Sequence, residues 1–306
     1  MTIAFSPAHC HHRQRCFRTD RFMRVCLLLC LISLSCGCAS LPTDAPPAPL
    51  DAATRAAADR ALALGKAVFY NDRLAWVASD IYQAELERAK VPPPKSVDWA
   101  VTELANGGHM VSFLLDLEDA GGFVDGEVRF AAGVDPDACI RATDEDHKAC
   151  DGISIARGVR PPTAHERTWA VARRTMLGDP ALRLCTEAPP NFTVIDSEGE
   201  TLGYVLSATL ERSKLVMSGH TRYRLSADGS QILDREPLFG TCMVAEREKS
   251  SAAVALMMSS QSADLFNESH VFLMLDQQQP VFVIGRLGHK VLIETDHGKP
   301  SWKTLD

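Results

Sequence analysis

The sequence has no long hydrophobic run. Its longest, Val25 to Ser35, falls short of the roughly 18 apolar residues that span a bilayer. It also lacks every compact catalytic signature: no GxSxG, no HExxH, no SxxK and no Walker A loop occurs. That removes the readily recognised serine hydrolases, zinc peptidases, β-lactamase-like acyltransferases and P-loop enzymes, although a dispersed Ser/His/Asp triad needs no local motif. None of the ten cysteines is spaced CxxC, so thioredoxin-like redox chemistry and zinc ribbons have no support. Positive charge is not in excess: 32 basic residues face 39 acidic ones, which argues against a nucleic-acid partner. Aromatic residues are few, and the four tryptophans, Trp76, Trp99, Trp169 and Trp302, are expected as core anchors.

What is present begins with an address. Arg24 precedes the short apolar run, and small residues lead into Gly37-Cys38-Ala39-Ser40. This is the anatomy of an export signal. The last four residues resemble the lipobox of bacterial lipoproteins, in which the cysteine is diacylated and becomes the mature N-terminus. Such proteins usually carry Leu three residues before that cysteine; here Ser35 holds the position and Leu34 lies one further back. Cys36 is a second candidate, and an ordinary cleaved signal is the alternative. The resemblance implies membrane attachment through lipid at Cys38. Ala39 in the next position, rather than Asp, implies the outer membrane facing the periplasm. Residues 1–22 hold Cys10, His11, His12 and Cys16, but they precede the signal, and Met23 is a plausible start.

Removing residues 1–37 takes away five Arg and one Asp, which leaves 269 residues with 27 basic and 38 acidic, a net charge of −11. Four cysteines remain beyond Cys38, an even number that suggests disulfides in an exported domain. Cys139 and Cys150 close a short polar loop and are the natural pair, leaving Cys185 for Cys242; free buried thiols are the alternative.

The mature chain divides into an anchor and Pro-rich tether (38–50), a helix with an antiparallel meander (51–160) and a second helix with antiparallel strands (161–306). The last two are either separate or one domain. Asp51 to Lys90 has helical periodicity, with Asn71-Asp72 as an expected break and Pro92-Pro93-Pro94 as the stop. Strands are expected at Val97–Leu104, Met110–Leu117 and Phe123–Phe130, with Gly-Gly turns between them. Thr163 and Glu166 fit a capping box opening a second helix. Further strands are expected at Phe192–Ile195, Leu202–Ala208, Lys214–Ser226, Gln231–Pro237, Ser269–Leu275, Pro280–Ile284 and Lys290–Glu294, after a short apolar segment at Ala252–Met258. The fold class is α+β with antiparallel sheet.

Three constellations carry chemistry. Alternation along Lys214–Ser226 puts His220, Arg222 and Arg224 on one face at about 7 Å spacing, a candidate anion-binding row that is otherwise a solvated face. Glu268 and His270 share a face of a strand, and with His220 they form a candidate metal set; a hydrogen-bonded core histidine is the plainer expectation. The loop acids Asp135, Asp137, Asp144, Glu145, Asp146 and Asp151 suggest calcium but lack the EF-hand order.

The stretches FYNDRLAWVASD at 69–80, SGHTRYRLSADG at 218–229 and ESHVFLML at 268–275 resemble segments of proteobacterial envelope-associated proteins with no assigned activity. That resemblance implies an envelope setting and no chemistry. The expectation is an envelope lipoprotein acting as a binding or interaction module toward an envelope protein or cell-wall component, with no cofactor. The alternative is an envelope hydrolase using His220, Glu268 and His270.

Overall fold

Asp51 opens the longest element, α1 (Ala52–Arg88): its side chain accepts the Thr54 N–H at 2.7 Å and caps the first turn. The computed structural model describes residues 49–116, 122–142, 150–211, 213–246 and 255–305. They belong to one compact unit that begins at Pro47. Among them no helix is long and apolar enough to cross a membrane.

The expected break in α1 at Asn71-Asp72 does not occur. Such side chains break helices by bonding their own backbone, and here they are engaged elsewhere. Asn71 donates to Thr193 Oγ1 at 3.2 Å, and Asp72 accepts from Asn191 Nδ2 at 2.8 Å. The helix therefore runs 37 residues and ends just before Lys90, which takes a left-handed φ of 55°.

Strands β1 (Asp98–Glu103), β2 (His109–Leu115), β3 (Phe123–Phe130) and β4 (Ile153–Arg160) form an antiparallel meander in that order. The first three match the expected strands. β4 was not foreseen: it is an edge strand with only Ile153 and Ile155 packed on the core and two arginines among its eight residues. The cysteine loop before it contains a one-turn helix, α2 (Pro136–Arg141), capped by Asp135. The capping box is present at α3 (Ala164–Leu177), where Thr163 Oγ1 accepts the Glu166 N–H at 3.2 Å and Glu166 accepts the Thr163 N–H at 2.7 Å.

The second sheet orders β5 (Asn191–Ser197), β6 (Glu200–Leu206), β8 (Thr221–Leu225) and β9 (Ile232–Pro237). The single strand expected over Lys214–Ser226 is split. Its first part, β7 (Lys214–Val216), leaves the sheet to pair with β10 (Val244–Glu246). Gly219 makes the bend at φ +83°, and a Cβ there would lie 2.3 Å from Cys185 Sγ and 2.6 Å from Ser207 Oγ. Both left-handed backbone and close approach demand glycine.

The third sheet orders β11 (Leu256–Ser259), β12 (Val281–Ile284), β13 (Lys290–Asp296) and β14 (Lys299–Thr304), with β11 and β12 parallel and the other pairs antiparallel. The expected strand Ser269–Leu275 is instead helical, within α4 (Glu268–Gln277). Its apolar residues suit either period. Asn267 decides the matter, accepting the Ser269 N–H at 3.1 Å as the N-cap. Helix α4 packs against α1 so closely that a Cβ on Gly65 would stand 2.5 Å from Val271 Cβ and 2.6 Å from the Glu268 carbonyl oxygen.

Among the described residues three apolar cores result, and α1 enters each of them. Ala58 and Ala61 join Val271, Val283 and Ile293; Leu64 and Val68 join Tyr204 and Leu238; Leu74, Val77 and Tyr82 join Phe113, Trp169 and Phe192. The last core draws on residues from both sides of position 160. Architecture is α+β, as expected.

Candidate functional site

Both cysteine pairs are bonded, Cys139 to Cys150 and Cys185 to Cys242, with Cα atoms 4.9 Å and 5.2 Å apart. Each sits beside a wall of one cleft of about 320 Å3. The first ties down α2, which contributes Asp137, Ile140 and Arg141 to that cleft. The second lies against Ser207 and against the Gly219 bend that leads into His220.

The cleft is built around Arg73 on the middle turn of α1. It is 4% exposed, and its guanidinium is surrounded by carboxylates. Asp276 at the end of α4 takes a direct hydrogen bond, Asp137 lies 3.2 Å from Nε as an ion pair, and Asp72 lies 3.6 Å from Nη1. The same guanidinium stacks on Phe69 at 4.7 Å and on Trp76 at 5.2 Å from the ring centroids. Unlike Arg73, Trp76 is 48% exposed. Burial raises the Asp80 carboxyl, and the neighbouring Trp76 indole opposes that shift. A large aromatic ring thus sits at the rim with much of its surface in solvent.

Burial disfavours the charged form of two groups on the cleft. Burial pushes the Asp72 carboxyl up to about 6, with Asp276 adding to the shift while Arg73 and the Asn191 hydrogen bond oppose it. Burial also pushes His220 down to about 4 against the pull of Asp276. His220 is 3% exposed, and its Nδ1 has no hydrogen-bond partner. A buried polar atom on a cleft wall without a partner is an unmet hydrogen-bonding capacity.

The candidates from sequence are placed as follows. Arg222 and Arg224 share a face of β8, but His220 precedes the strand and is buried. Arg222 pairs with Glu236 and with Glu268 at 2.7 Å, and Arg224 lies 3.9 Å from Glu200, so the row is matched by carboxylates. Glu268 also accepts from Tyr204 Oη at 3.2 Å. His270 is fully buried, with Nδ1 3.2 Å from the Asn267 N–H and its ring 4.9 Å from Phe239. On a helix, residues two apart point to nearly opposite sides. Glu268 and His270 therefore do not share the face expected of them in a strand. Among the described residues no three His, Cys, Asp or Glu side chains group as a metal site. Of the loop acids, Asp135 caps α2 and Asp137 binds Arg73 and Arg141. Asp151 is exposed, and Asp144, Glu145 and Asp146 lie outside the described residues. So does Cys38.

Sequence reasoning missed Arg73 and Asp276 and misplaced two more: Asp72 was expected to break α1, and Trp76, expected as a core anchor, is 48% exposed. One signal was available: Asp72 stands four residues after Val68, on the apolar stripe of α1, where a charge has no business unless a partner awaits it. Comparison with family models, with curated proteins and with solved structures finds no match for this chain.

Proposed function

We propose that this chain is a lipid-anchored protein of the cell envelope, attached at Cys38 and facing the periplasm from the outer membrane. On this reading its folded part is a non-enzymatic binding module toward an envelope or cell-wall component. The ligand sits in the Arg73 cleft. The observation that supports binding is His220: a buried imidazole with an unpaired Nδ1 on a wall that also holds a carboxyl near neutrality. The anchor rests on the signal anatomy around Gly37-Cys38-Ala39-Ser40. The hydrolase alternative loses support, because Glu268 is spent on Arg222 and Tyr204 while His270 faces Asn267 and Phe239.

Two measurements test this. Cys38→Ala should move the protein from the membrane to the soluble fraction; a variant that stays bound, at the same mass as the parent, would sink the anchor. A photoreactive side chain at Thr209, on the cleft lining, should trap an envelope component in cells. Recovery of the uncrosslinked chain alone would sink the binding role.

A further inference from the structure

The cleft is selective about charge. Arg73 already has three carboxylates around it, Arg141 is paired with Asp137 at 2.6 Å, and Lys214 with Glu211 at 2.6 Å. An anionic ligand would meet Asp72, Asp137 and Asp276; a cationic one would have to displace a guanidinium that is held on both aromatic and carboxylate sides. Neither exchange is favourable, since breaking a buried ion pair leaves an uncompensated charge. What the site offers instead is two-sided. One side is the half-exposed indole of Trp76, with Ile140 on the same lining; the other is neutral polar chemistry, Asn191 and Thr209 together with the buried imidazole of His220. At about 320 Å3 the volume is at the small end of ligand sites, which run from about 300 Å3 upward.

A pyranose has this same two-sidedness: a C–H face that stacks on an aromatic ring, and a hydroxyl edge that both donates and accepts. We infer that the cleft binds a neutral saccharide, with Trp76 as its stacking platform and the His220 side of the cleft meeting its hydroxyls. This deepens the binding-module reading and rests on it. Because Trp76 already packs on Arg73 before any ligand arrives, less side-chain ordering opposes stacking, which favours affinity.

The test is calorimetric titration of the full chain, held in a detergent without a sugar headgroup, against the neutral tetramer of N-acetylglucosamine and against maltotetraose. The expected result is saturable binding of at least one, accompanied by a change in tryptophan fluorescence. Trp76→Ala should weaken it at least about tenfold, and Trp76→Phe should retain most of it. Trp76 is half in solvent, so both variants should keep the parent's melting temperature, and a shared loss of melting would be seen directly. Absence of binding by both sugars at millimolar concentration, or affinity unchanged by Trp76→Ala, overturns the saccharide assignment. Saturable binding of 1,6-diaminohexane in the same titration, with neither sugar binding, also overturns it, and reassigns the cleft to cations while the binding-module reading stands. That reading fails separately, through the crosslink at Thr209.

Discussion

At the scale of single residues, Asp72 is the most informative group in the chain. Its carboxyl is raised to about 6 from an ordinary 3.8. A raised pKa means the folded state prefers the proton, so the stabilising contribution is full below pH 3.8 and lost as pH rises through 6. At pH 7 the ionised form therefore costs on the order of 2–3 kcal/mol. Asp72→Asn keeps the shape and removes that cost. The variant should be more stable than the parent at pH 7 by up to this amount, and the two should converge by pH 4, as read from denaturant midpoints at both pH values. A residue that stabilises when neutralised is one kept for something other than folding. If Asp72→Asn proves less stable at pH 7 than at pH 4 relative to the parent, the carboxylate is a structural partner of Arg73 and no more.

At the scale of elements, α4 is the test piece. Its start depends on Asn267, whose side chain accepts the Ser269 N–H and donates to the Leu238 carbonyl at 2.7 Å. Asn267→Ala removes a cap and leaves the Leu238 carbonyl only the longer Ser262 Oγ–H donor at 3.3 Å, so a loss of about 1–2 kcal/mol is expected. Chemical denaturation measures it; a loss under 0.5 kcal/mol would mean that packing on α1, not the cap, defines the helix. This element also shows what could be seen in the sequence. The start of α1 near Asp51, the capping box at Thr163, the meander over residues 98–130 and the two cysteine pairs were legible because each is written within a short stretch or follows from elimination. α4 was misread because ESHVFLML satisfies both periods, and its cap is one residue upstream of the run. The Lys214–Ser226 strand was misread because Gly219 counts as an ordinary neighbour until Cys185 and Ser207 press against it. The cleft was invisible for a deeper reason. Arg73, Asp137, His220 and Asp276 come from four distant segments, and only tertiary structure brings their side chains to one place.

At the scale of the whole molecule, acid should loosen the fold in two stages. His220 and His270 are both depressed from 6.5 to about 4 by burial. Depressed bases contribute stability that is full above pH 6.5 and lost as pH falls toward 4, roughly 3 kcal/mol each. Asp72 works the other way between pH 6 and 3.8, offsetting about one of the two. A net fall of roughly 3 kcal/mol between pH 6.5 and 4 is therefore expected in unfolding free energy. Glu166, held down to about 2 by Arg160 and the Thr163 N–H against the opposing effect of burial, adds a further loss below pH 4.5. A flat stability profile from pH 6.5 to 4 would contradict the burial of neutral imidazoles. The long helix has a mechanical side as well. Asp51 to Asp72 spans 21 residues of α1, about 30 Å of rigid hydrogen-bonded rod. Load applied at residue 51 would run down this rod into the seam where Gly65 lies on α4, the helix that also carries Asp276 of the cleft. Rod and cleft thus share one interface, Gly65 against α4, through which strain at either end would be felt at the other.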